Sequence, residues 1–197
     1  DVARAEAVRA TIGDQITLMA DANQGLTGAQ ALRLGQALAP VGLEWFEEPV
    51  PTWDDAAAAM LVRKLDVPIA SAETEYTSIG IKRMVDHQAA SVFMPDLQRM
   101  GGYTEMMAVA RYLGAMNLPV SPHIFTEHSL HIVAAAPNAT WCEHMPWYAR
   151  LFNEQLVVES DGMVRVPDRP GVGFTFNWNS IDTYRISSDV RSGQSFK

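Results

Sequence analysis

The chain has 197 residues, of which 48% are hydrophobic, and this content is sufficient for one sizeable buried core. Its formal net charge of −8 argues against a nucleic-acid-binding surface, and no apolar stretch of about 18 residues predicts a membrane span. We therefore expect a globular protein with no nucleic-acid or membrane partner, and the cytoplasm as its default compartment. The single cysteine, Cys142, cannot form an internal disulfide and is predicted to be a buried hydrophobic residue.

Strand-like and helix-like segments alternate along most of the chain. Residues 1–14 predict an amphipathic helix with no strand ahead of it, so the chain is expected to be cut at its N-terminus. The short apolar runs that come afterwards are each followed by a helix-like segment, except for the last. This alternation predicts repeated βα units and a parallel sheet. The six predicted strands are QITLMA (15–20), GLEWF (42–46), VPIAS (67–71), ASVFM (90–94), LPVS (118–121) and TWCEH (140–144).

An ionisable residue marks the end of each predicted strand. Successive members of this set are separated by 20 to 27 residues, which is one βα unit. In a closed barrel they would therefore lie on one ring at the carboxyl ends of the strands. An open, doubly wound sheet is the alternative, but it would spread them along a line. The set is Asp21, Glu47, Glu73, Asp96, His123 and Glu143.

These features predict an α/β fold built on a partial TIM-type barrel. A complete barrel has eight strands, so the six predicted here are interpreted as strands 3 to 8, and two more are expected upstream. We assign residues 1–150 to this barrel. Residues 151–197 are rich in turn signals and are predicted to form a C-terminal extension that packs on the barrel or on a capping region.

The residues of the ring suggest two kinds of chemistry. Asp21, Glu47 and Glu73 offer three carboxylates on consecutive strand ends, and hard oxygen ligands in this number suit Mg²⁺. Without a cation, like charges that converge in this way would repel one another. Asp96 and His123 follow neighbouring strands. A carboxylate beside a histidine fixes the imidazole tautomer and raises its basicity, as a general base requires.

Six short motifs, taken together, resemble the barrel domain of the mandelate racemase branch of the enolase superfamily, which includes the muconate lactonizing enzymes. In chain order they are MADANQ, FEEP, AET, MPDLQRMGG, SPH and WCEH. The resemblance runs from residue 1 to about residue 175. It implies that Mg²⁺ is ligated by Asp21, Glu47 and Glu73.

The resemblance also implies roles for the other residues of the ring. His123 with Asp96 would be the acid/base dyad, and Glu143 would contact the carboxylate of a small-molecule substrate. Asn23 and Glu48 would be neighbours of the metal site.

The implied reaction is abstraction of the proton α to a carboxylate. Loss of a β-hydroxyl would then make the protein an acid-sugar dehydratase that gives a 2-keto-3-deoxy acid, which is the favoured expectation. Reprotonation on the other face would make it a racemase or epimerase of a 2-hydroxy acid. A homo-oligomer is also expected.

The sequence departs from the family pattern in three places. The N-terminal capping domain and the Lys-x-Lys motif at the end of the second barrel strand are not found in it, and the usual glycine before the third metal glutamate is Ala72. We expect the chain to be inactive by itself, because an opened barrel leaves hydrogen bonds unpaired at its edges. A non-catalytic metal-binding fragment is therefore a third alternative.

A different enzyme class, a zinc hydrolase, is suggested by the stretch HIFTEHSLH. It places His123, Glu127, His128 and His131 close together in sequence. The spacing is H-x-x-x-E-H, which is one residue longer than the H-x-x-E-H pattern of some zinc proteases. We rank this alternative well below the magnesium site.

Overall fold

A computed structural model describes residues 1–186, which form two compact units, residues 1–143 and residues 144–186. The first unit contains a 4-stranded parallel sheet in which the strands are neighbours in chain order. This arrangement confirms the predicted parallel α/β fold. The division after Glu143 falls before the boundary that the sequence placed after residue 150. The strands are β1 (Ala20–Asp21), β2 (Phe46–Glu47), β3 (Ile69–Ser71) and β4 (Val92–Phe93).

A helix precedes β1, and a helix follows every strand of the sheet. The start of α2 is a capping box, in which the side chains and main-chain amides of Thr27 and Gln30 bond to each other reciprocally. Within residues 1–186, no helix is long and apolar enough to cross a membrane. The α-helices are α1 (Val2–Ile12), α2 (Gly28–Leu38), α3 (Asp55–Lys64), α4 (Thr77–His87), α5 (Tyr103–Ala115), α6 (Thr126–Ala135) and α7 (Trp178–Thr183).

The two faces of the sheet carry separate layers of apolar side chains. A large core, which includes Phe46, Ile69 and Phe93, packs together with residues of the helices. A smaller cluster consists of Trp45, Ala70, Val92 and Met94. Because neighbouring residues on a strand point to opposite faces, Glu47 shares its face with Trp45 and not with Phe46.

The fifth predicted strand is present only as isolated parallel bridges, and the sixth is replaced by a single bridge at Ala139, one residue ahead of its predicted start. Val120 bridges to Phe93 on one side and to Ala139 on the other, which continues the strand order of the sheet. The fifth segment contains Pro119 and Pro122, and proline has no amide N–H to donate to a strand ladder. These prolines explain why the pairing is shorter than the predicted strand.

The described part of the second unit, residues 144–186, contains little regular structure. A 3-10 helix (Pro146–Leu151) and α7 are accompanied by isolated antiparallel bridges from Phe152 to Phe176 and from Val158 to Val164. The second bridge encloses the predicted Asp-Gly turn, where Gly162 has a φ of 80°. The predicted extension runs on to residues 187–197, which lie outside the described residues.

Candidate active site

Asp21 and Glu47 lie side by side at the carboxyl ends of β1 and β2. They are register partners in the parallel sheet, so their side chains leave the same face. Asp21 is exposed, whereas Glu47 is half-buried and accepts a 3.1 Å hydrogen bond at Oε2 from the indole N–H of Trp45. Burial and the neighbouring charge of Asp21 raise the pKa of Glu47 to about 7, although the indole hydrogen bond opposes this shift. A cation at this edge would relieve the repulsion.

Glu73 follows β3 and lies between a histidine and an arginine. Its Oε2 is 3.1 Å from His123 Nε2. On its other side, Arg99 Nη1 donates a 2.6 Å hydrogen bond to the main-chain oxygen of Glu73 and lies 3.7 Å from its Oε1. The carboxylate also adds to the negative charge felt by Glu47. The third predicted ligand is therefore near the first two, but it is turned toward the acid/base pair.

Asp96 and His123 are in direct hydrogen-bond contact. They are partners in an isolated parallel bridge, and His123 Nδ1 lies 2.9 Å from Asp96 Oδ2. Asp96 is only 2% exposed, and its Oδ1 accepts hydrogen bonds from the main-chain amides of Gln98 and Arg99 at 2.8 and 2.9 Å. The carboxylate is thus fixed on one side by the following turn and presents its other oxygen to the imidazole.

The pKa values of this pair move apart. Burial would raise the pKa of Asp96, but hydrogen bonds from His123 and from the Arg99 amide outweigh it and lower that pKa. Burial also disfavours the charged form of His123. However, the hydrogen bond to Asp96 and the charges of Glu73 and Glu143 raise the pKa of the imidazole. An ionised Asp96 therefore supports His123 as a proton acceptor.

Glu143 lies at the end of the sixth predicted strand and binds the turn that carries His123. Its Oε2 accepts a 2.8 Å hydrogen bond from the amide of Ile124, and its main-chain oxygen accepts a 2.7 Å bond from Thr126. Its charge acts on both Glu47 and His123. The structure therefore brings Glu143 to the same site as the other predicted residues.

Of the two predicted neighbours of the metal site, Asn23 bonds to a carboxylate of the ring, whereas Glu48 bonds to other residues. Glu48 is 1% exposed, its Oε2 accepts a 2.6 Å hydrogen bond from Gln24, and its Oε1 accepts from Ser71 and from the amide of Ala72. Burial raises its pKa. Asn23 donates its main-chain amide to Asp21 Oδ1 at 2.7 Å, and the Asn23 residue is exposed.

Three residues that contact the predicted site residues were not identified from the sequence: Trp45, Gln24 and Arg99. Trp45 could have been found, because a residue two positions before Glu47 must share its face of the strand. Gln24 and Arg99 reach their partners across loops, at sequence separations of 24 and 26 residues. Nothing in their local sequence indicates these contacts.

Six of the nine non-glycine residues that have a positive φ among residues 1–186 lie at the same strand ends. Each lies within two residues of a predicted site residue, and such outliers concentrate where the surrounding structure fixes a functional geometry. Ala72, directly before Glu73, has a φ of 111° and is fully buried. The other non-glycine positions of this group are Asn23, Gln24, Glu48, Ile124 and Phe125.

We expect Ala72→Gly to change the free energy of unfolding by less than about 1 kcal/mol. Relief of the strained φ, roughly 1–3 kcal/mol, offsets the lost methyl burial of about 0.8 kcal/mol and the added freedom of the unfolded chain. Ala72→Val should instead cost more than about 2 kcal/mol, because it adds a branched side chain to a strained and fully buried position. Urea unfolding of both variants tests this, and equal stabilities would contradict it.

The donor set fits a hard divalent cation. Asp21, Glu47 and Glu73 provide only carboxylate oxygens, and burial together with the charge of Asp21 raises the pKa of Glu47. Within residues 1–186, however, no three His, Cys, Asp or Glu side chains are already close enough to hold an ion. Glu73 Oε2 instead contacts His123 Nε2, which lies 3.1 Å away.

The histidines of the alternative zinc site have separate hydrogen-bond partners. His123 pairs with Asp96 and Glu73, whereas His128 Nδ1 lies 3.0 Å from the hydroxyl of Tyr103. Burial lowers the pKa of His128. The described residues therefore give no support to a zinc hydrolase. Cys142 is only partly buried, less than predicted, but burial raises the pKa of its thiol to about 11, so the thiol is protonated at neutral pH.

Comparison with known proteins identifies similar chains. L-talarate/galactarate dehydratase from Salmonella typhimurium is 35% identical over 177 residues, which are 90% of this chain and 44% of that enzyme. The crystal structure of L-talarate dehydratase from a Polaromonas species, complexed with Mg and L-glucarate, matches 92% of this chain and 51% of its own, with 36% identity and a TM-score of 0.88.

A racemase from Streptomyces coelicolor with bound magnesium matches with 33% identity and a TM-score of 0.89, over 93% of this chain and 50% of its own. The chain thus spans about half the length of the relatives that it matches. The family described as enolase C-terminal domain-like matches residues 1–180. The chain therefore belongs to the enolase C-terminal domain-like family, as its motifs had indicated.

Proposed function

We propose that this chain provides the acid/base and carboxylate groups of a Mg²⁺-dependent enzyme that removes the proton α to a carboxylate, and that the reaction is dehydration of an acid sugar to a 2-keto-3-deoxy acid. The observation that carries the proposal is the position of His123 between two carboxylates. Its Nδ1 lies 2.9 Å from Asp96 Oδ2, and its Nε2 lies 3.1 Å from Oε2 of Glu73, a proposed metal ligand. Asp21, Glu47 and Glu73 would hold the metal. Bound Mg²⁺ would stabilise the negative charge that develops on the substrate carboxylate.

His123 has the geometry of a proton carrier at Nε2. Nδ1 is engaged by the buried Asp96, so Nε2 would accept the α proton once Glu73, which lies 3.1 Å from it, binds the metal instead. In a dehydration the C–H bond at the α carbon breaks, the C–O bond at the β carbon breaks, and the proton on Nε2 can leave with the hydroxyl as water. The resulting enol becomes the 2-keto acid. Glu143, held against the turn after His123, would contact the substrate carboxylate.

The dehydratase names of two of the similar proteins support the favoured reaction, and the racemase among the similar structures supports the alternative. In a racemase the same His123 would return the proton to the α carbon from one face. A third reading, metal binding without turnover, predicts neither reaction. Assembly into a homo-oligomer stays a prediction.

Incubation of the full-length protein with Mg²⁺ and a panel of aldonic, aldaric and aromatic 2-hydroxy acids in D₂O separates the three possibilities. Dehydration should release a 2-keto-3-deoxy acid that a carbonyl reagent detects. Racemisation should place deuterium at the α carbon without a carbonyl product. If neither occurs while Mg²⁺ is bound, the proposal of catalysis is wrong and the non-catalytic alternative replaces it.

A further inference from the structure

The indole of Trp45 is the side-chain hydrogen-bond donor to the central carboxylate of the ring. Its Nε1–H donates to Glu47 Oε2 at 3.1 Å. Trp45 directly precedes β2 and is two residues from Glu47, so in an extended backbone both side chains project from the same face. This contact fixes one oxygen of Glu47 and thereby sets the direction of the other.

The donor itself is held rigidly. Trp45 is 3% exposed and packs in the small cluster with Ala70, Val92 and Met94. Its ring also meets Trp141 edge-on, with 6.5 Å between the ring centroids and an angle of 77° between the planes. A side chain enclosed in this way cannot follow the carboxylate if the carboxylate rotates. The hydrogen bond therefore selects one orientation of Glu47.

Asp21, the register neighbour of Glu47, is oriented by a main-chain hydrogen bond and not by a side chain. Its Oδ1 accepts the main-chain amide of Asn23 at 2.7 Å, a contact that any residue except proline at position 23 could provide. The support of Glu47 depends instead on one side chain. Partners that orient a ligating carboxylate in this way typically change metal affinity by about 10–100-fold when they are removed.

We propose that Trp45 is a positioning residue that orients the Glu47 carboxylate for metal binding. Binding of Mg²⁺ to Glu47 should therefore change the fluorescence of the Trp45 indole. This inference rests on the proposed function, because it requires Mg²⁺ at the carboxylate ring. It assigns to Trp45 no contact with substrate and no part in proton transfer.

The test compares Trp45→Phe with wild type in metal-free protein. We expect calorimetric titration to show Mg²⁺ affinity lower by about 10–100-fold in Trp45→Phe. The change in tryptophan emission that Mg²⁺ causes in wild type should be lost. The matched control is Trp53→Phe, since Trp53 is 76% exposed and its loss should alter neither measurement. A structural role alone would lower the melting temperature without removing a metal-dependent emission change.

Wild-type affinity in a folded Trp45→Phe variant would overturn the inference, and so would an emission change that persists in it. If Trp45→Phe does not fold, the inference is tested instead by the NMR signals of the indole N–H groups in ¹⁵N-labelled protein that retains Trp45. Mg²⁺ should then shift one resonance that survives replacement of each other tryptophan by Phe, and a titration that shifts none would overturn the inference. A wild-type protein that binds no Mg²⁺ would overturn the proposed function as well. The other tryptophans are Trp53, Trp141, Trp147 and Trp178.

Discussion

In the full-length protein, His123→Asn should lower turnover by about 10²–10⁴-fold, the range typical for loss of a general acid or base. The side chain of His123 lies between Asp96 and Glu73, and asparagine keeps a polar group there but cannot carry the proton. Binding of Mg²⁺ should persist, because His123 is not one of the proposed ligands. Steady-state kinetics together with a metal titration measure both effects. The matched control is His87→Asn, since His87 is exposed at the end of α4.

Asp96→Asn should show the same loss in a milder form together with a shifted pH profile. Although burial opposes it, the hydrogen bond to Asp96 helps to raise the pKa of His123 in wild type, so the variant should reach its active, deprotonated form at lower pH. The sign for stability follows from the same shift. The His123 ion pairs stabilise the fold below the ordinary histidine pKa of about 6.5, and this contribution is lost as the pH rises through the raised value. Near-normal turnover in both variants would show that the pair is structural.

Glu47→Gln should abolish Mg²⁺ binding and also stabilise the metal-free protein at neutral pH. Burial and the charge of Asp21 raise the Glu47 pKa from 4.5 to about 7. A raised carboxyl pKa means that the fold is more stable below the ordinary value and loses this contribution as the pH rises to about 7. At about 1.4 kcal/mol per pKa unit, the neutral glutamine should add roughly 3 kcal/mol of stability at about pH 8.

The same pKa predicts the pH dependence of Mg²⁺ affinity in wild type. A carboxylate must lose its proton to bind a metal, so affinity should rise as the pH increases through about 7 and level off above it. Calorimetric titrations at about pH 6 and about pH 8 measure this change, and urea unfolding measures the stability change. Glu44→Gln is the matched control, because Glu44 is exposed just ahead of β2. Unchanged binding in Glu47→Gln would exclude Glu47 as a ligand.

The sequence was sufficient to predict where the ring residues meet, because parallel βα units place their carboxyl ends along one edge. Asp21 and Glu47 were expected to be neighbours for this reason, and the register pairs them directly. The period-2 alternation of a strand also separates Glu47, on the Trp45 face, from its neighbour Glu48, which is buried among Gln24 and Ser71.

The predictions failed where the outcome depends on side-chain reach or on local main-chain chemistry. The link from Arg99 to Glu73 crosses between two loops, so no periodicity encodes it. The short pairing of the fifth segment follows from prolines inside an otherwise strand-like run. The sequence shows Ala72 where the family has glycine, but it does not show the φ of 111° that makes this position a source of strain next to Glu73.

The positive φ angles of residues at the strand ends also limit which substitutions the site can accept. A mutant library that varies all residues after the strand ends would place β-branched residues at positions that have a positive φ. These positions are 23, 24, 48, 72, 124 and 125. Most such clones would be lost to misfolding before selection for a new substrate could begin. Restricting these codons to Gly, Asn, Asp and the parental residue would keep the backbone that aims the carboxylates and the imidazole. Sequence diversity could then be directed to exposed loop positions between the strand ends and the helices.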